Sequence, residues 1–224
     1  MHIKVASVDS LVIYFSNTIS QKTASEVKNA YLCINKLNNK GIIEVVPSYT
    51  SIFITYDIFK YDFNQIKKLL KECLNTKEED KTEEKTLVVD VYYGYEVGFD
   101  LHRISKKEEL SISDIIDIHS QKTYDVYAIG FLPGFAYLAN VDKKIAMPRL
   151  STPRKHIPKG SVAIANTQTA VYPKSSPGGW NIVGQTTFEF FNKSLDSLCP
   201  LKVGDKVKFN PITKKEFLKQ GGKI

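Results

Sequence analysis

The sequence predicts an α+β protein with a small N-terminal α/β sandwich followed by a β-barrel. Three observations support this prediction. Residues 1–75 alternate strand patterns with two amphipathic helices, residues 76–85 are charged and contain no apolar side chain, and residues 86–224 contain many short apolar runs separated by turn residues. A chain of 224 residues is long enough to form two small hydrophobic cores.

The elements of the N-terminal domain follow from its apolar spacing. Ile3–Phe15 fits one or two strands, and Ser20–Asn39 has apolar side chains at helical spacing. Further strands are predicted at Ile42–Val46 and Ile52–Tyr56, and Asp62 is the predicted N-cap of a second helix. This order of elements indicates an open sandwich but does not fix its topology.

The second domain is predicted to follow a solvated linker at residues 76–85. It begins with an alternating strand at Leu87–Tyr93, and Ser111 and Asp114 form a predicted capping box for a helix that extends through His119. Six further strands are predicted, at Tyr124–Ile129, Ser161–Ala165, Thr169–Tyr172, Asn181–Val183, Thr187–Phe191 and Lys206–Phe209. Many short strands with turns between them are typical of a closed or nearly closed barrel.

Composition excludes several classes of function. The net charge is +7, but the lysines are scattered among acidic residues, which favours a soluble surface over a nucleic-acid-binding stripe. Cys33, Cys73 and Cys199 are odd in number and widely spaced, so we expect neither a disulfide framework nor a metal site. Met1–Val5 does not begin a signal peptide, and no apolar run is long enough to cross a membrane. We therefore expect a cytoplasmic protein.

Four clusters of glycine and proline lie between Ile129 and Gly184. They are Gly130–Phe135, Met147–Arg154, Pro158–Val162 and Ser176–Trp180. Glycine opens and proline restricts backbone conformation, so these clusters predict loops of defined shape, where binding sites often lie.

Arginine is rare in this chain. Only Arg103, Arg149 and Arg154 among 31 basic residues are arginine, and two of them lie in the glycine and proline clusters. The planar guanidinium group binds carboxylate or phosphate with paired hydrogen bonds, which lysine cannot do. Chance, or a structural ion pair, is the alternative explanation for each arginine.

Several motifs together indicate a family. They are Val46–Tyr49, Tyr93–Leu101, His119, Val126–Leu138, Gln168–Pro173, Ser176–Trp180 and Phe209–Ile212. With these motifs in this order, the sequence resembles the family of the B subunit of 5-oxoprolinase. That family includes a bacterial sporulation-kinase inhibitor and part of the carboxyltransferase region of urea carboxylase. The resemblance implies that the barrel is cyclophilin-like.

The same resemblance implies a function. A protein of this kind acts with subunits C and A to hydrolyse the lactam of 5-oxoproline to L-glutamate at the expense of ATP, and it is expected to be inactive alone. ATP with Mg²⁺ would bind at a site shared with the partner subunits. The sequence also lacks a phosphate loop, a dinucleotide fingerprint and a serine-hydrolase elbow, which favours a site completed by another polypeptide.

Substrate and phosphate binding is predicted in the glycine and proline clusters. Arg149, Arg154 and Lys159 are the candidate cations for the substrate carboxylate and the transferring phosphoryl group. Gly178 and Gly179 would allow backbone N–H groups to approach an anion.

His119 and Glu96 are the candidates for proton transfer. His119 titrates near neutral pH in its unperturbed form, and Glu96 lies in a turn after a predicted strand. Each has a structural alternative, because a histidine in the last turn can bind free carbonyl groups of its helix and a turn carboxylate can cap a neighbouring helix. For Asp100, capping of the helix that begins at Leu101 is the favoured interpretation.

Four aromatic residues are the predicted walls of a small-molecule pocket: Phe131, Phe135, Tyr137 and Trp180. Packing of loops onto the barrel is the alternative, and Trp180 also fits an anchor in a subunit contact.

Two other functions remain open. The first is a regulatory protein that binds and inhibits a histidine kinase, as the kinase inhibitor of the family does. The second is urea-directed carboxyl transfer, which ranks last because it requires biotin carrier and carboxylase modules.

Overall fold

A computed structural model describes residues 1–75, 85–194 and 197–224. The chain divides into two compact units, residues 1–83 and 84–224. The predicted linker at residues 76–85 lies outside the described residues except for Lys85, so its boundaries stay a prediction. The α+β fold with a barrel is confirmed.

The N-terminal unit is a four-stranded antiparallel sheet with two helices. Its elements are β1 (His2–Ser7), β2 (Ser10–Tyr14), α1 (Gln21–Lys36), β3 (Ile42–Ser48), β4 (Ser51–Tyr56) and α2 (Phe63–Asn75). The strand order is β1-β2-β4-β3. Ile13 and Ile54 from the sheet are completely buried in one core with Ile66 and Leu70 from α2. The alternating burial of β2 and β4 therefore directs their apolar side chains towards the helices.

Cys33 and Cys73 form a disulfide, contrary to the expectation from their spacing. Cys33 lies on α1 and Cys73 on α2, and their Cα atoms are 6.5 Å apart across the helix contact. The expectation was wrong because helix packing brings together residues that are 40 positions apart in sequence. Cys199 is a free thiol.

The second unit is built on a closed barrel. Its strands are β5 (Thr86–Tyr92), β6 (Thr123–Ile129), β7 (Ala136–Ala139), β9 (Ser161–Ala165), β10 (Gln168–Val171), β12 (Asn181–Gln185) and β13 (Lys206–Ile212). The order around the barrel is β10-β7-β6-β13-β5-β12-β9, in which only the β5 and β13 pair is parallel. The unit also contains α3 (Leu101–Glu108), α4 (Ile112–Ser120), a short 3-10 helix (Lys143–Ile145), β8 (Arg154–Ile157), β11 (Ser176–Gly178) and α5 (Lys214–Lys219).

The barrel wall is buried on both faces at β9. Val162 and Ile164 belong to the main core, whereas Ala163 and Ala165 belong to a second core. Because successive strand residues point to opposite faces, the second core lies on the outside of this strand. It brings the Ser176–Trp180 cluster onto the barrel wall through Trp180.

The predicted strand at Thr187–Phe191 is wrong, because no strand forms there. The preceding strand β12 is already paired with β5 on one edge and β9 on the other, and a closed barrel leaves no free edge. Phe190 instead is buried in the main core and contacts Phe188 edge to face.

The capping box of α4 is confirmed, since Ser111 accepts a hydrogen bond from the Asp114 backbone and Asp114 accepts one from the Ser111 backbone. Among the residues described by the structure, no helix has both the length and the apolar character of a membrane span.

Candidate functional site

All three arginines of the chain converge on the segment Gly178–Gln185. Arg154 is held most tightly. Its Nη1 and Nη2 donate to the two carboxylate oxygens of Asp100 at 2.9 and 2.8 Å, and Asp100 is almost completely buried. The same carboxylate accepts a hydrogen bond from the Ile182 backbone N–H at 2.7 Å. The charge of Arg154 is therefore balanced within the protein, and its paired donors are occupied.

Asp100 reaches β12 because the preceding loop packs directly on that strand. A Cβ on Gly98 would lie 2.7 Å from the carbonyl oxygen of Val183, so only glycine fits there without a shift. The Asp100 N–H donates to Ile182 O at 2.9 Å. Asp100 occupies the N-cap position of α3, but its side chain accepts no hydrogen bond from that helix. The predicted capping role is wrong because Arg154 and Ile182 bind the carboxylate instead.

Arg149 is exposed and lies against the only tryptophan of the chain. The central guanidinium carbon of Arg149 is 5.7 Å from the centroid of the Trp180 ring, within range of a cation–π contact. No described carboxylate forms an ion pair with Arg149. The following residue, Leu150, donates from its N–H to Gly179 O at 2.7 Å, which ties the arginine loop to the glycines before Trp180.

Arg103 reaches the same segment from α3. Its Nη1 donates to Oδ1 of Asn181 at 2.6 Å. Asn181 is completely buried, and its Nδ2 donates to Pro148 O at 2.9 Å and to Ile164 O at 3.1 Å. Asn181 is thus a fixed acceptor that orients the exposed side chain of Arg103.

The Tyr172 hydroxyl lies beneath this segment. Burial raises the pKa of Tyr172 to about 12, and the nearby Arg149 and Arg154 guanidinium groups and the backbone N–H of Trp180 oppose this rise. A Cβ on Gly178 would collide with the hydroxyl oxygen. Glycine at this position therefore lets Tyr172 support the backbone beside both arginines.

The four predicted pocket-wall aromatics lie together. Phe135 is buried and makes edge contacts with Phe131, Tyr137 and Trp180 at centroid distances of 5.4, 4.9 and 5.7 Å. Phe131 is 62% exposed and has a φ of 71°, a left-handed conformation that is unfavourable for a bulky side chain. The backbone thus holds an exposed aromatic ring beside the buried aromatic cluster.

His119 occupies a different environment, inside the barrel. Its Nδ1 is 2.8 Å from the Tyr93 hydroxyl and its Nε2 is 2.9 Å from the Thr169 hydroxyl. Thr169 donates its only hydroxyl proton to Ala163 O, so it accepts from Nε2–H, and Nδ1 accepts from Tyr93. Burial lowers the pKa of His119 to about 3, and the imidazole is neutral. The ring bonds side chains rather than helix carbonyls, and its catalytic role stays a prediction.

The side chains of Glu96 and Lys159 have partners outside the segment Gly178–Gln185. Glu96 binds Lys214 at 2.7 Å and the Tyr92 hydroxyl at 3.0 Å, and the bond from Lys214 lowers the pKa of Glu96 to about 2. Lys159 forms an exposed ion pair with Glu189 at 2.7 Å. Their predicted roles in catalysis and binding stay predictions.

Four residues that lie in or contact the segment Gly178–Gln185 were not among the predicted site residues: Asp100, Arg103, Tyr172 and Asn181. Arg103 had a detectable signal, because it is one of only three arginines. Asn181 directly follows Trp180, but its contact with Arg103 depends on the placement of α3 beside β12.

Comparisons with known proteins place this chain in a family. The carboxyltransferase domain, subdomain C and D, matches residues 1–201. The B subunit of 5-oxoprolinase from Bacillus subtilis is 36% identical over 219 residues, which cover 93% of this chain and 91% of the relative. The chain belongs to the 5-oxoprolinase B-subunit family. The corresponding protein of Haemophilus influenzae is also 36% identical, over 77% of this chain and 80% of the relative.

Solved structures extend the comparison with this family. TTHA0988 has a TM-score of 0.81 and 26% identity over 95% of this chain, which spans only 40% of the length of TTHA0988. An uncharacterized protein from Pyrococcus horikoshii, PH0987, is 39% identical with a TM-score of 0.58, over 96% of this chain and all of that chain. Urea carboxylase of Kluyveromyces lactis shares the fold, with a TM-score of 0.77 and 16% identity. The match covers 97% of this chain and 22% of the urea carboxylase chain.

Proposed function

We propose that this chain is a subunit of an ATP-dependent 5-oxoprolinase complex that hydrolyses the lactam of 5-oxoproline to L-glutamate. Its relatives from three bacteria all carry the name of the 5-oxoprolinase B subunit. Subunits C and A are the proposed partners. The observation that supports this role is the exposed Arg149, without a described carboxylate partner, which lies over the ring of Trp180 at the edge of an aromatic cluster.

The chemistry explains the need for such a cation. A lactam is a poor electrophile, so transfer of the γ-phosphoryl group of ATP to the lactam oxygen, with release of ADP, would prepare the ring carbon for hydrolysis. In the hydrolysis one water would attack that carbon and the C–N bond would break, which leaves a free amine and an acyl phosphate, and a second water would release phosphate and the new carboxylate. The substrate carboxylate must be held in place during both steps. Arg149 is suited to that task, whereas the donors of Arg154 already bind Asp100.

The side chains that the structure describes do not suit Mg²⁺ on this subunit alone. Among them no group of three or more histidine, cysteine or acidic residues is placed to hold a metal ion. We therefore assign no step to a metal bound by this chain. ATP and its metal would be held largely by the partner subunits, so that the isolated chain is inactive.

Reconstitution tests this function. This chain, purified with subunits A and C, should release ADP only when 5-oxoproline is present, and omission of this chain should abolish the dependence. Arg149→Lys should lower kcat/KM for 5-oxoproline by about tenfold to a hundredfold, because lysine keeps the charge but lacks the paired donors. Lys106→Ala, an exposed cation on α3, is the matched control. An assembled complex that releases no ADP with 5-oxoproline would overturn the proposal.

A second candidate is inhibition of a histidine kinase. The exposed Phe131, held with positive φ, is the kind of surface that a protein partner covers. Dose-dependent inhibition of a kinase from the same cell, lost in Phe131→Ala, would support this candidate. Inhibition that is absent, or equal for both forms, would reject this use of the surface.

A further inference from the structure

We propose that Arg103 and Arg149 together form an oxyanion-binding site that takes a carboxylate or a phosphoryl group. The site deepens the proposed function by adding Arg103, and it rests on that function for the choice of natural ligand. The sequence predicted Arg149 and Arg154 as the anion-binding arginines. We assign this role to Arg103 instead of Arg154, because the charge of Arg154 is neutralised by Asp100.

Asn181 couples the two arginines. Its Oδ1 accepts from Arg103 at 2.6 Å, and its Nδ2 donates at 2.9 Å to Pro148 O, the carbonyl of the residue before Arg149. Trp180, whose ring contacts Arg149, directly precedes Asn181 in the chain. The Arg103 guanidinium group is therefore tied to Asn181, and the Arg149 guanidinium group to the adjacent Trp180.

The attachment is rigid. Asn181 is completely buried, and a further hydrogen bond to Ile164 O at 3.1 Å anchors it to strand β9. Within the described residues, no buried side-chain polar atom lacks a partner. A fixed amide that orients a cation at the surface is the supporting arrangement that a preorganised anion site requires.

The two arginines have donors to spare. A guanidinium group has five N–H donors, and the described contacts of Arg103 use one of them, for Asn181. Arg149 has a ring contact but no described hydrogen bond or ion pair. Both side chains are exposed. Two exposed positive charges that are held at adjacent residues, Trp180 and Asn181, and lack a described carboxylate partner favour the binding of an anion.

Arg154 shows what a purely structural arginine looks like in the same segment. Its two terminal nitrogens bind one buried carboxylate, and its side chain is only 29% exposed. Arg103 and Arg149 lack this arrangement although they contact the same segment, Gly178–Gln185. The difference identifies an anionic ligand, with two or more oxygens to match the forks, as their missing partner.

The single tryptophan offers a direct test in the full-length chain. Trp180 fluorescence would be followed during separate titrations with 5-oxoproline and inorganic phosphate at constant ionic strength. A saturable change with 5-oxoproline alone identifies a carboxylate site, and one with phosphate identifies a phosphoryl site. Isothermal titration calorimetry would measure the same affinities without reliance on the fluorophore that Arg149 contacts.

Arg103→Lys is the decisive variant, because it keeps the charge and does not alter the contact between Arg149 and Trp180. We expect its Kd for the bound anion to rise about tenfold to a hundredfold, as for the loss of a charge-assisted hydrogen bond. Lys106→Ala, on the same helix, should bind as the wild type does. A thermal melt would check that each variant is folded.

Two results would overturn the site: no saturable binding of either anion, or Arg103→Lys that binds as tightly as the wild type. The outcome is separable from that of the proposed function. Anion binding that depends on Arg103, together with a reconstituted complex that lacks 5-oxoproline-dependent ADP release, would reject the enzymatic role and support the site.

Discussion

The barrel interior around His119 and the segment Gly178–Gln185, on which the arginines converge, use polar side chains in opposite ways. His119 is completely buried and has a described partner on each ring nitrogen. Arg103 and Arg149 are exposed, and within the described residues neither has a carboxylate partner. A side chain whose hydrogen-bonding atoms all have partners is suited to maintain the fold, whereas a side chain with unused donors at a fixed position is suited to bind a ligand.

Arg154 belongs with His119 in this comparison although it lies beside Arg149 in space. Its ion pair with Asp100 connects β8 to the loop before α3, and the Ile182 N–H adds β12 to the same carboxylate. Residue type alone therefore does not separate an arginine that is paired within the protein from the two arginines proposed to bind a ligand. The number of donors already occupied separates them.

Loss of the Asp100 carboxylate is expected to have the largest effect. Asp100→Ala should lower the free energy of unfolding by about 3 kcal/mol, because it leaves Arg154 and the buried Ile182 N–H without their acceptor. Urea unfolding at pH 7.5 would measure this change, with the exposed Asp117→Ala as control. Equal stability of the two variants would remove Arg154 from the structural class.

Protonation of His119 should give the next largest effect. Its folded pKa, about 3, lies below its unfolded value of about 6.5, so its contribution to stability is complete above pH 6.5 and is lost as the pH falls. Lowering the pH from 7.5 to 5.0 should therefore reduce the free energy of unfolding by about 2 kcal/mol through this group. Over this pH interval, the free energy of unfolding in urea should therefore fall by about 2 kcal/mol less for His119→Gln than for the wild type. Parallel pH profiles would contradict a buried neutral imidazole.

Tyr172→Phe should have a smaller effect, about 1 kcal/mol, because it removes a buried hydroxyl that packs against the Gly178 backbone while it keeps the ring in its core. Urea unfolding would measure the loss, and Trp180 fluorescence would report the local rearrangement. An unchanged stability would show that the hydroxyl does not support the arginine segment.

Lys159→Ala is expected to have the smallest effect. Both partners of the Lys159–Glu189 pair are about half exposed, and exposed ion pairs contribute little to stability. Its melting temperature should equal that of the wild type. A clear decrease would place Lys159 with the structural cations.

The sequence predicted the periodic parts of the fold well. The alternation in Leu87–Tyr93 and the capping box at Ser111 gave correct elements, because each depends on residues close together in the chain. Thr187–Phe191 is also rich in apolar residues but forms no strand, since the barrel edges are already paired. A local sequence pattern does not show which strands pair across the barrel. For the same reason it did not predict the contact between Cys33 and Cys73.

The candidate site was predictable in part. The rarity of arginine pointed to Arg149, and the glycines before Trp180 pointed to the same surface. The division of roles among the arginines was not predictable, because Asp100 and Asn181 approach them from positions 54 residues before Arg154 and 78 residues after Arg103. Only the assembled barrel shows which guanidinium group already has a partner.

The most direct test is the free energy of unfolding in urea for three single variants: Arg103→Lys, Arg149→Lys and Arg154→Lys. We expect Arg154→Lys to lower it by about 2 kcal/mol, because lysine cannot replace the paired bonds to buried Asp100. Arg149→Lys should stay within about 0.5 kcal/mol of the wild type, as surface substitutions do. Arg103→Lys should cost less than about 1 kcal/mol, because lysine can still donate one hydrogen bond to Asn181. Equal losses in all three, or no loss in Arg154→Lys, would contradict the division between one structural and two ligand-binding arginines.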